Sequence, residues 1–276
     1  MYPFDKENLE KEGSMSTVQS VASQSRVEKQ IRGLRVWNIV VGLVLAVEAI
    51  MVANLTNSFA LPVTGGFING PPGTMPGLSR LFNIATGWGV FTFLAISGIA
   101  LLLIASPMVF PWYKRNLLQS RNYGRWIEYF FSSSIMIVLI AQITGISDIA
   151  ALVSIFGVNA SMILFGAVQE KYEKPGKQPN LLPFWFGCFS GIIPWIAVVI
   201  YVISPGVAAS PPAFVYAIIV ALFIFFNCFA VNMVLQYKQA GPWRDYLFGE
   251  KVYIILSLTA KSLLAWMVFA NVLVLK

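Results

Sequence analysis

Lys261 is the residue whose type and position suggest the most specific chemistry, because it stands inside a long apolar run. It lies ten residues into KVYIILSLTAKSLLAWMVFANVLVL, and a helix rising about 1.5 Å per residue would carry it about 15 Å deep, near the middle of a bilayer. Ser257 precedes it by one helical turn and shares its face. A buried amine tends to lose its charge and become a nucleophile towards carbonyl compounds, as in Schiff-base lysines. An ion-paired lysine that joins two helices is the alternative that these residues leave open.

Glu128, in RWIEYFFSSS, is a second ionisable residue in an apolar stretch. Helical spacing places it on one face with Arg125 and Ser132, about 10 Å inside a helix that begins near Arg121. Because glutamate and lysine side chains are long, Glu128 can reach Lys261 across a helical bundle and act as the counterion of a positively charged nitrogen. Pairing of Glu128 with Arg125 is the alternative.

Glu48 lies twelve residues into the first apolar stretch, at a depth close to that of Lys261. An intramembrane charge costs about 2.5 to 3.5 kcal/mol on insertion scales, so it needs a partner or a water-filled cavity. Two interpretations are open. Glu48 is a protonated acid hydrogen-bonded in the core, or it is an ionised group near the amine that takes up a proton when charge moves.

The elements that must position these residues are membrane-spanning helices. The chain has 276 residues, of which 57% are apolar and only 11% charged, and its mean hydropathy is +0.72; these values are typical of an all-α membrane protein. Seven stretches reach the roughly 20 residues that a spanning helix needs. They run approximately over Val36 to Leu55, Leu81 to Ala105, Tyr123 to Gly145, Ile149 to Gln169, Leu182 to Ser204, Pro212 to Gln236, and Lys251 to Leu275.

The distribution of lysine and arginine predicts the orientation of the bundle, since cytoplasmic flanks accumulate these residues. Apart from Lys261, only Arg80 and Lys276 fall on the side opposite to the amino terminus. The amino terminus is therefore expected in the cytoplasm and the carboxyl terminus outside, in a protein of the cell membrane.

Two segments outside the spans have distinctive compositions. The first outer connection, from Thr56 to Ser79, has no charge and contains PVTGGFINGPPGTMPG, whose turn residues predict a short β-hairpin. Residues 1–25 are polar and mix both charges, so we predict a disordered cytoplasmic tail over 1–25 and a transmembrane domain over 26–276.

Several function classes find no support in the sequence. Two cysteines and no histidine argue against a disulfide scaffold and a zinc or haem site. The basic residues form no continuous stripe, so nucleic acid is not an expected partner. No nucleophile with an adjacent base, metal-ligand cluster or phosphate-binding glycine loop is evident, so we predict neither a metal site nor an enzyme.

With these residues in view, the chain resembles the heliorhodopsins from about Gly33 to its end. The matching segments are FALPVTGGFINGPPGT, RWIEYFFSSSIMIVLIAQITGISDIAAL, IFGVNASMILFG with QEKY, LLPFWFGC with PWI, and SLTAKSLLAW. The resemblance implies a seven-helix rhodopsin-like bundle, inverted relative to other microbial rhodopsins, that binds all-trans retinal covalently as a protonated Schiff base.

The resemblance also assigns roles by position. Lys261 matches the retinal-linked lysine, Glu128 the counterion, and Ser257 the serine that contacts the Schiff base. Asn122 and Trp266 match residues that border the adjoining cavity. The expected retinal pocket comprises Ser133, Met136, Asn159, Trp185 and Phe226.

One departure from the family concerns the Schiff-base cavity, where relatives usually place two histidines. The matching positions here are Leu45 and Leu101, and Glu48 stands where a glutamine is usual. We hypothesise that Glu48 lies near the cavity and either alters the proton affinity of the Schiff base or accepts its proton. Replacing Glu48 by Gln would then change the pH dependence of colour or the photocycle.

The function that the resemblance implies is slow light sensing or regulation by a homodimer in the lipid bilayer, without ion pumping. The basic inner loops could dock an unknown cytoplasmic signalling partner or anionic lipid, although topology alone also explains their charge. The alternative is a light-gated proton channel or transporter, since viral relatives conduct protons and Glu48 adds an intramembrane carboxyl group.

Overall fold

The computed structural model describes residues 6–176, 178–203 and 211–273, with side chains described within 24–271. In these ranges, seven helices are long and apolar enough to cross a membrane, which confirms the seven predicted spans. The spanning helices are α1 (Lys6–Leu55), α2 (Thr86–Ala105), α4 (Tyr123–Ile143), α5 (Ile149–Tyr172), α6 (Leu182–Val202), α7 (Ala213–Tyr237) and α8 (Tyr246–Val268). A short helix α3 (Phe110–Leu117), a 3₁₀ turn (Gly241–Arg244) and a π-helical turn (Phe269–Leu273) complete the helical elements.

The predicted hairpin is present and longer than expected. Strands β1 (Ala60–Phe67) and β2 (Gly77–Ala85) pair antiparallel, with a bulge between Val63 and Thr64. Thr64 fastens the hairpin to the turn between α4 and α5, because its backbone nitrogen donates to the Ser147 carbonyl oxygen at 2.8 Å.

Two predicted helix starts differ from the structure by several residues. The second span begins at Thr86 and not at Leu81, because the apolar residues just before Thr86 form β2; average hydropathy does not distinguish an apolar strand from an apolar helix. The seventh span begins at Tyr246, where Asp245 caps the helix by accepting a hydrogen bond from the backbone nitrogen of Leu247 at 3.0 Å. The predicted ends at Ser204 and Leu275 lie outside the described residues.

The amino-terminal segment also differs from the prediction. The backbone of residues 6–25, predicted as part of a disordered tail, is helical and continuous with the first span. This stretch contains no proline and a single glycine, and its lysine, glutamate, leucine and glutamine residues favour helix formation. Residues 1–5 lie outside the described ranges.

Helix α4 is the most buried of the seven spans, and α8 is the next most buried after it. The hydroxyl group of Tyr129 on α4 donates to the carbonyl oxygen of Tyr253 on α8 at 3.2 Å. The two helices that carry Glu128 and Lys261 therefore face each other in the core of the bundle.

Candidate functional site

A buried ion pair joins α4 to α8. Nζ of Lys261 lies 3.1 Å from Oε1 of Glu128, and the two residues are only 3% and 5% exposed. The same amine donates to Oγ of Ser257, one turn earlier on α8. An amine and a carboxylate this far from water interact strongly, because the dielectric screening around them is weak.

Ser97 of α2 is a member of this site that sequence reasoning missed. Its hydroxyl group is fully buried and lies within hydrogen-bonding reach of both Oε1 of Glu128 and the carbonyl oxygen of Phe93. It stands one turn before Leu101, one of the two positions where relatives carry histidine. This spacing places Ser97 on the same face of α2 as Leu101 and could have indicated that it belongs to the site.

Lys261 lines a cavity of about 190 Å³ whose wall is formed by α4, α5, α6, α7 and α8. Of the predicted pocket residues, Ser133, Met136 and Phe226 line this cavity. Asn159 lies behind Ser133 and donates to its hydroxyl oxygen at 2.9 Å. The other aromatic residues in the cavity wall are Trp126, Tyr129, Phe184, Trp195, Phe223, Phe229 and Tyr253.

The structure does not support the prediction that Trp185 lines the pocket. Its side chain is 61% exposed on the outside of α6, whereas Phe184 and Trp195 of the same helix are buried and line the cavity. The inward residues of α6 follow the helical repeat from Phe184 through Gly187, Cys188, Gly191 and Ile192 to Trp195. Trp185 points elsewhere because each residue turns the helix by about 100°.

Glu48 and Trp266 form a separate contact between α1 and α8. The indole nitrogen of Trp266 donates to Oε1 of Glu48 at 3.0 Å, and the hydroxyl group of Ser262 donates to Oε2 at 2.8 Å. Neither Glu48 nor Trp266 lines the large cavity. Glu48 is thus connected to Lys261 through the neighbouring residue Ser262, without a described contact to the amine.

A second group of buried charges lies at the end of the bundle where α4 and α8 begin, here called the inner end. The buried charge cluster consists of Arg125, Glu170 and Glu250, which are 7%, 3% and 1% exposed. One guanidinium nitrogen of Arg125 lies 2.8 Å from Oε1 of Glu170, and the other contacts Oε1 of Glu250. Arg125 is therefore not the partner of Glu128, which leaves Glu128 to Lys261.

Glu170 and Glu250 were missed because they stand at helix ends. The predicted spans stopped at Gln169 and started at Lys251, so both glutamates were counted as parts of loops. Hydropathy does not indicate whether a charge at such a boundary points into the bundle or into water.

Asn122, predicted to border the Schiff-base cavity, caps α4 and belongs to the same region. Its side chain accepts a hydrogen bond from the backbone nitrogen of Arg125 at 3.0 Å and donates to Oε2 of Glu250 at 2.6 Å. It also lines a small cavity of about 20 Å³ whose wall includes Glu128, Ser257 and Glu250.

This geometry suits a ligand with a long apolar body and one carbonyl group. The aromatic walls accept the body, and the amine of Lys261, which lines the cavity, can react with the carbonyl carbon. Among the described residues, no group of three or more histidine, cysteine, aspartate or glutamate side chains could hold a metal ion.

The chain is similar to a known protein family and to solved structures. Residues 34–273 match the family model described as Heliorhodopsin. Rhodopsin from Exiguobacterium sibiricum has a similar fold, with a TM-score of 0.58 at 14% identity over 87% of this chain and 95% of that protein. Thermophilic rhodopsin from Rubrobacter xylanophilus gives a TM-score of 0.53 at 15% identity over 86% of this chain and 95% of that one. No curated protein sequence matches the chain.

Proposed function

The chain belongs to the heliorhodopsin family, and we propose that it is a light sensor that holds all-trans retinal on Lys261 as a protonated Schiff base. Family membership and the rhodopsin fold support a retinal-binding photoreceptor in the membrane. The observation that carries the specific proposal is the position of the Lys261 amine, in the wall of an aromatic cavity and 3.1 Å from a buried carboxylate.

The residues around the cavity fit such a ligand. When bound, retinal supplies an aldehyde that condenses with Nζ of Lys261, releasing water, and a conjugated chain that isomerises on absorbing visible light. Met136, Trp195 and Phe226 offer apolar surface along the cavity, which excludes water from the bound chain. Phe226 and Trp195 contact each other edge to face, with ring centroids 5.5 Å apart.

Glu128 and Ser257 control the proton on Nζ. Glu128 balances its positive charge, and Ser257 accepts a hydrogen bond from it. Any movement of Nζ away from Glu128 separates two opposite charges where screening is weak, which costs far more energy than in water. The positions of α4 and α8 relative to each other are thereby coupled to the state of the ligand.

We propose that the output is slow signalling and not ion pumping. The amino terminus and the inner end face the cytoplasm, as the lysine and arginine distribution predicts. A homodimer is the expected assembly, and the basic inner loops are the expected contact for a signalling partner or anionic lipid. The buried charge cluster supports the absence of pumping, because the charges of Arg125, Glu170 and Glu250 are held in ion pairs at the inner end.

The decisive measurement is the visible spectrum of protein expressed with all-trans retinal. The wild-type protein is expected to be coloured, and Lys261→Ala is expected to be colourless, because Lys261 carries the one amine among the described residues of the cavity wall. Lys251→Ala is the matched control, since Lys251 lies on the same helix but stacks on Trp37 outside the cavity. Folded wild-type protein that stays colourless with retinal, or a coloured Lys261→Ala variant, would contradict the proposal.

A light-gated proton channel is the second candidate, favoured by Glu48, a partly buried acid in the membrane-spanning part of α1. Photocurrents recorded in cells that express the coloured protein separate the two functions. A sensor gives no current at any membrane potential, whereas a channel gives a current that follows the proton gradient and is lost in Glu48→Gln.

A further inference from the structure

The small cavity has two acidic groups in its wall. Glu128 and Glu250 both line it, and these are the two carboxyl groups among the described residues in its wall. Its volume of about 20 Å³ exceeds the roughly 10 to 15 Å³ that one water molecule needs. Leu101, at a position where relatives carry histidine, also lines it and offers no proton site.

Three other residues in this wall present buried polar atoms without a hydrogen-bond partner among the described residues. These atoms are the side-chain oxygen of Asn38, Nε of Arg125 and the hydroxyl group of Tyr253. The first is an acceptor, the second is a donor and the hydroxyl group can be either, so a water molecule in the cavity can pair with them. Leaving such groups unpaired costs about 1 to 3 kcal/mol each, which favours an ordered water in this cavity.

The buried charge cluster has one positive and two negative groups. With both carboxylates ionised its net charge is −1, and all three side chains are buried. Tyr246 and Trp126 each donate to Glu170, and Asn122 donates to both glutamates. These neutral donors spread the negative charge without cancelling it, so one added proton would neutralise the cluster.

From these observations we infer that Glu250 receives the proton that leaves Nζ of Lys261, through Glu128 and a water molecule in the small cavity. This inference rests on the proposed function. The N–H bond at Nζ breaks with its electron pair kept by nitrogen, and an O–H bond forms on Glu250. Glu128 and the water each accept one proton and release one, so the total charge of the site is unchanged.

Glu48 is the competing acceptor. It is a carboxylate that receives hydrogen bonds from Ser262 and Trp266, but it is absent from the wall of either cavity. A proton transferred to Glu48 would have to leave the polar path formed by Glu128, the small cavity and Glu250. Replacing each acid by its amide therefore distinguishes the two routes.

The experiment compares Glu250→Gln, Glu48→Gln and Glu28→Gln in the retinal-bound protein. Loss of the Nζ proton, followed by flash absorption spectroscopy, is expected to slow about tenfold or more in Glu250→Gln, because positioned proton-transfer groups typically contribute about 10²- to 10⁴-fold. Glu28→Gln is the control, since Glu28 is an exposed partner of Lys114. Light-minus-dark infrared spectra should show a carboxylic acid band that Glu250→Gln abolishes.

A second set of measurements does not depend on light. An experimental structure of the retinal-free protein should show a water within hydrogen-bonding distance of Asn38 and Arg125, and Asn38→Leu should remove it. In retinal-free protein, infrared spectra recorded at different pH values should show the protonation of one carboxyl group. The band of this group should be absent in Glu250→Gln. A small cavity without water would overturn the inference. Proton loss from Nζ that is slowed in Glu48→Gln but proceeds at the wild-type rate in Glu250→Gln would also overturn it. Protein that binds no retinal would instead refute the proposed function, and the water and the titrating carboxyl group could still be observed.

Discussion

At the scale of single residues, the central feature is a choice of partners among buried charges. Lys261 and Arg125 are both buried, and three carboxylates are within their reach. Arg125 forms contacts to Glu170 and Glu250, while Lys261 pairs with Glu128. Removing one member of a buried pair leaves the other charge without compensation, which makes each pairing testable by a single substitution.

Glu128→Gln tests the pairing with Lys261. The retinal-bound variant is expected to absorb further to the red. In the wild-type protein the negative charge of Glu128 stabilises the ground state, whose positive charge is concentrated at Nζ, more than the excited state, so removing it narrows the energy gap between the two. In retinal-free protein, the free energy of unfolding should fall by about 3 to 5 kcal/mol. Visible spectra and denaturation measurements in detergent check the two expectations. An unshifted spectrum would exclude Glu128 as the counterion.

At the scale of elements, the shape of the large cavity depends on how closely α5 approaches α4. A Cβ atom added at Gly166 of α5 would lie 2.5 Å from the ring of Trp126 on α4. That ring cannot move freely, because its indole nitrogen donates to Glu170 in the buried charge cluster. The glycine thus allows one aromatic residue to line the large cavity and also bind the buried charge cluster.

Gly166→Ala is expected to destabilise the protein by about 1 to 3 kcal/mol through overpacking. It should also slow the appearance of colour when retinal is added, since Trp126 is displaced in the cavity wall. Gly157→Ala is the control on the same helix, because nothing lies within 4 Å of the Cβ atom it would add. Thermal denaturation and the rate of colour formation measure the two effects. Equal behaviour of both variants would contradict the role given to Gly166.

At the scale of the whole molecule, the hairpin and the inner end lie on opposite sides of the bundle. The hairpin packs on the turn between α4 and α5, whereas the buried charge cluster is formed where α4 and α8 begin. Charges are excluded from most of the hairpin, and they accumulate around the inner end. This asymmetry predicts that the hairpin faces outward.

Labelling of intact cells checks this orientation. In a background without the native cysteines Cys188 and Cys228, Met75→Cys in the hairpin should react with a membrane-impermeant maleimide added outside. Leu118→Cys, on the opposite side, should react only after the cells are opened. Both positions are well exposed, at 89% and 56%, so access is limited by the membrane alone. The reverse labelling pattern would invert the proposed topology.

The sequence alone predicted the number of spans and the hairpin, because these features depend on local composition. A run of about 20 apolar residues must form a helix in lipid whatever its neighbours are. The turn-forming residues of the hairpin act over a few positions and are equally local. Ser133, Met136 and Phe226 were placed in the pocket by resemblance, and the structure brings them to the large cavity.

The tertiary structure decided which charges meet and which aromatic residues face inward. The partners of Arg125 could not be predicted, because Glu170 and Glu250 lie far away in the chain and at helix ends, where burial depends on how the helices pack. The same reason explains why Phe184 and Trp195 line the large cavity and the predicted Trp185 does not. The rotation of α6 about its axis is set by the neighbouring helices. Apolar content places a helix in the membrane, but only contacts with other helices determine its rotation and therefore the composition of the site.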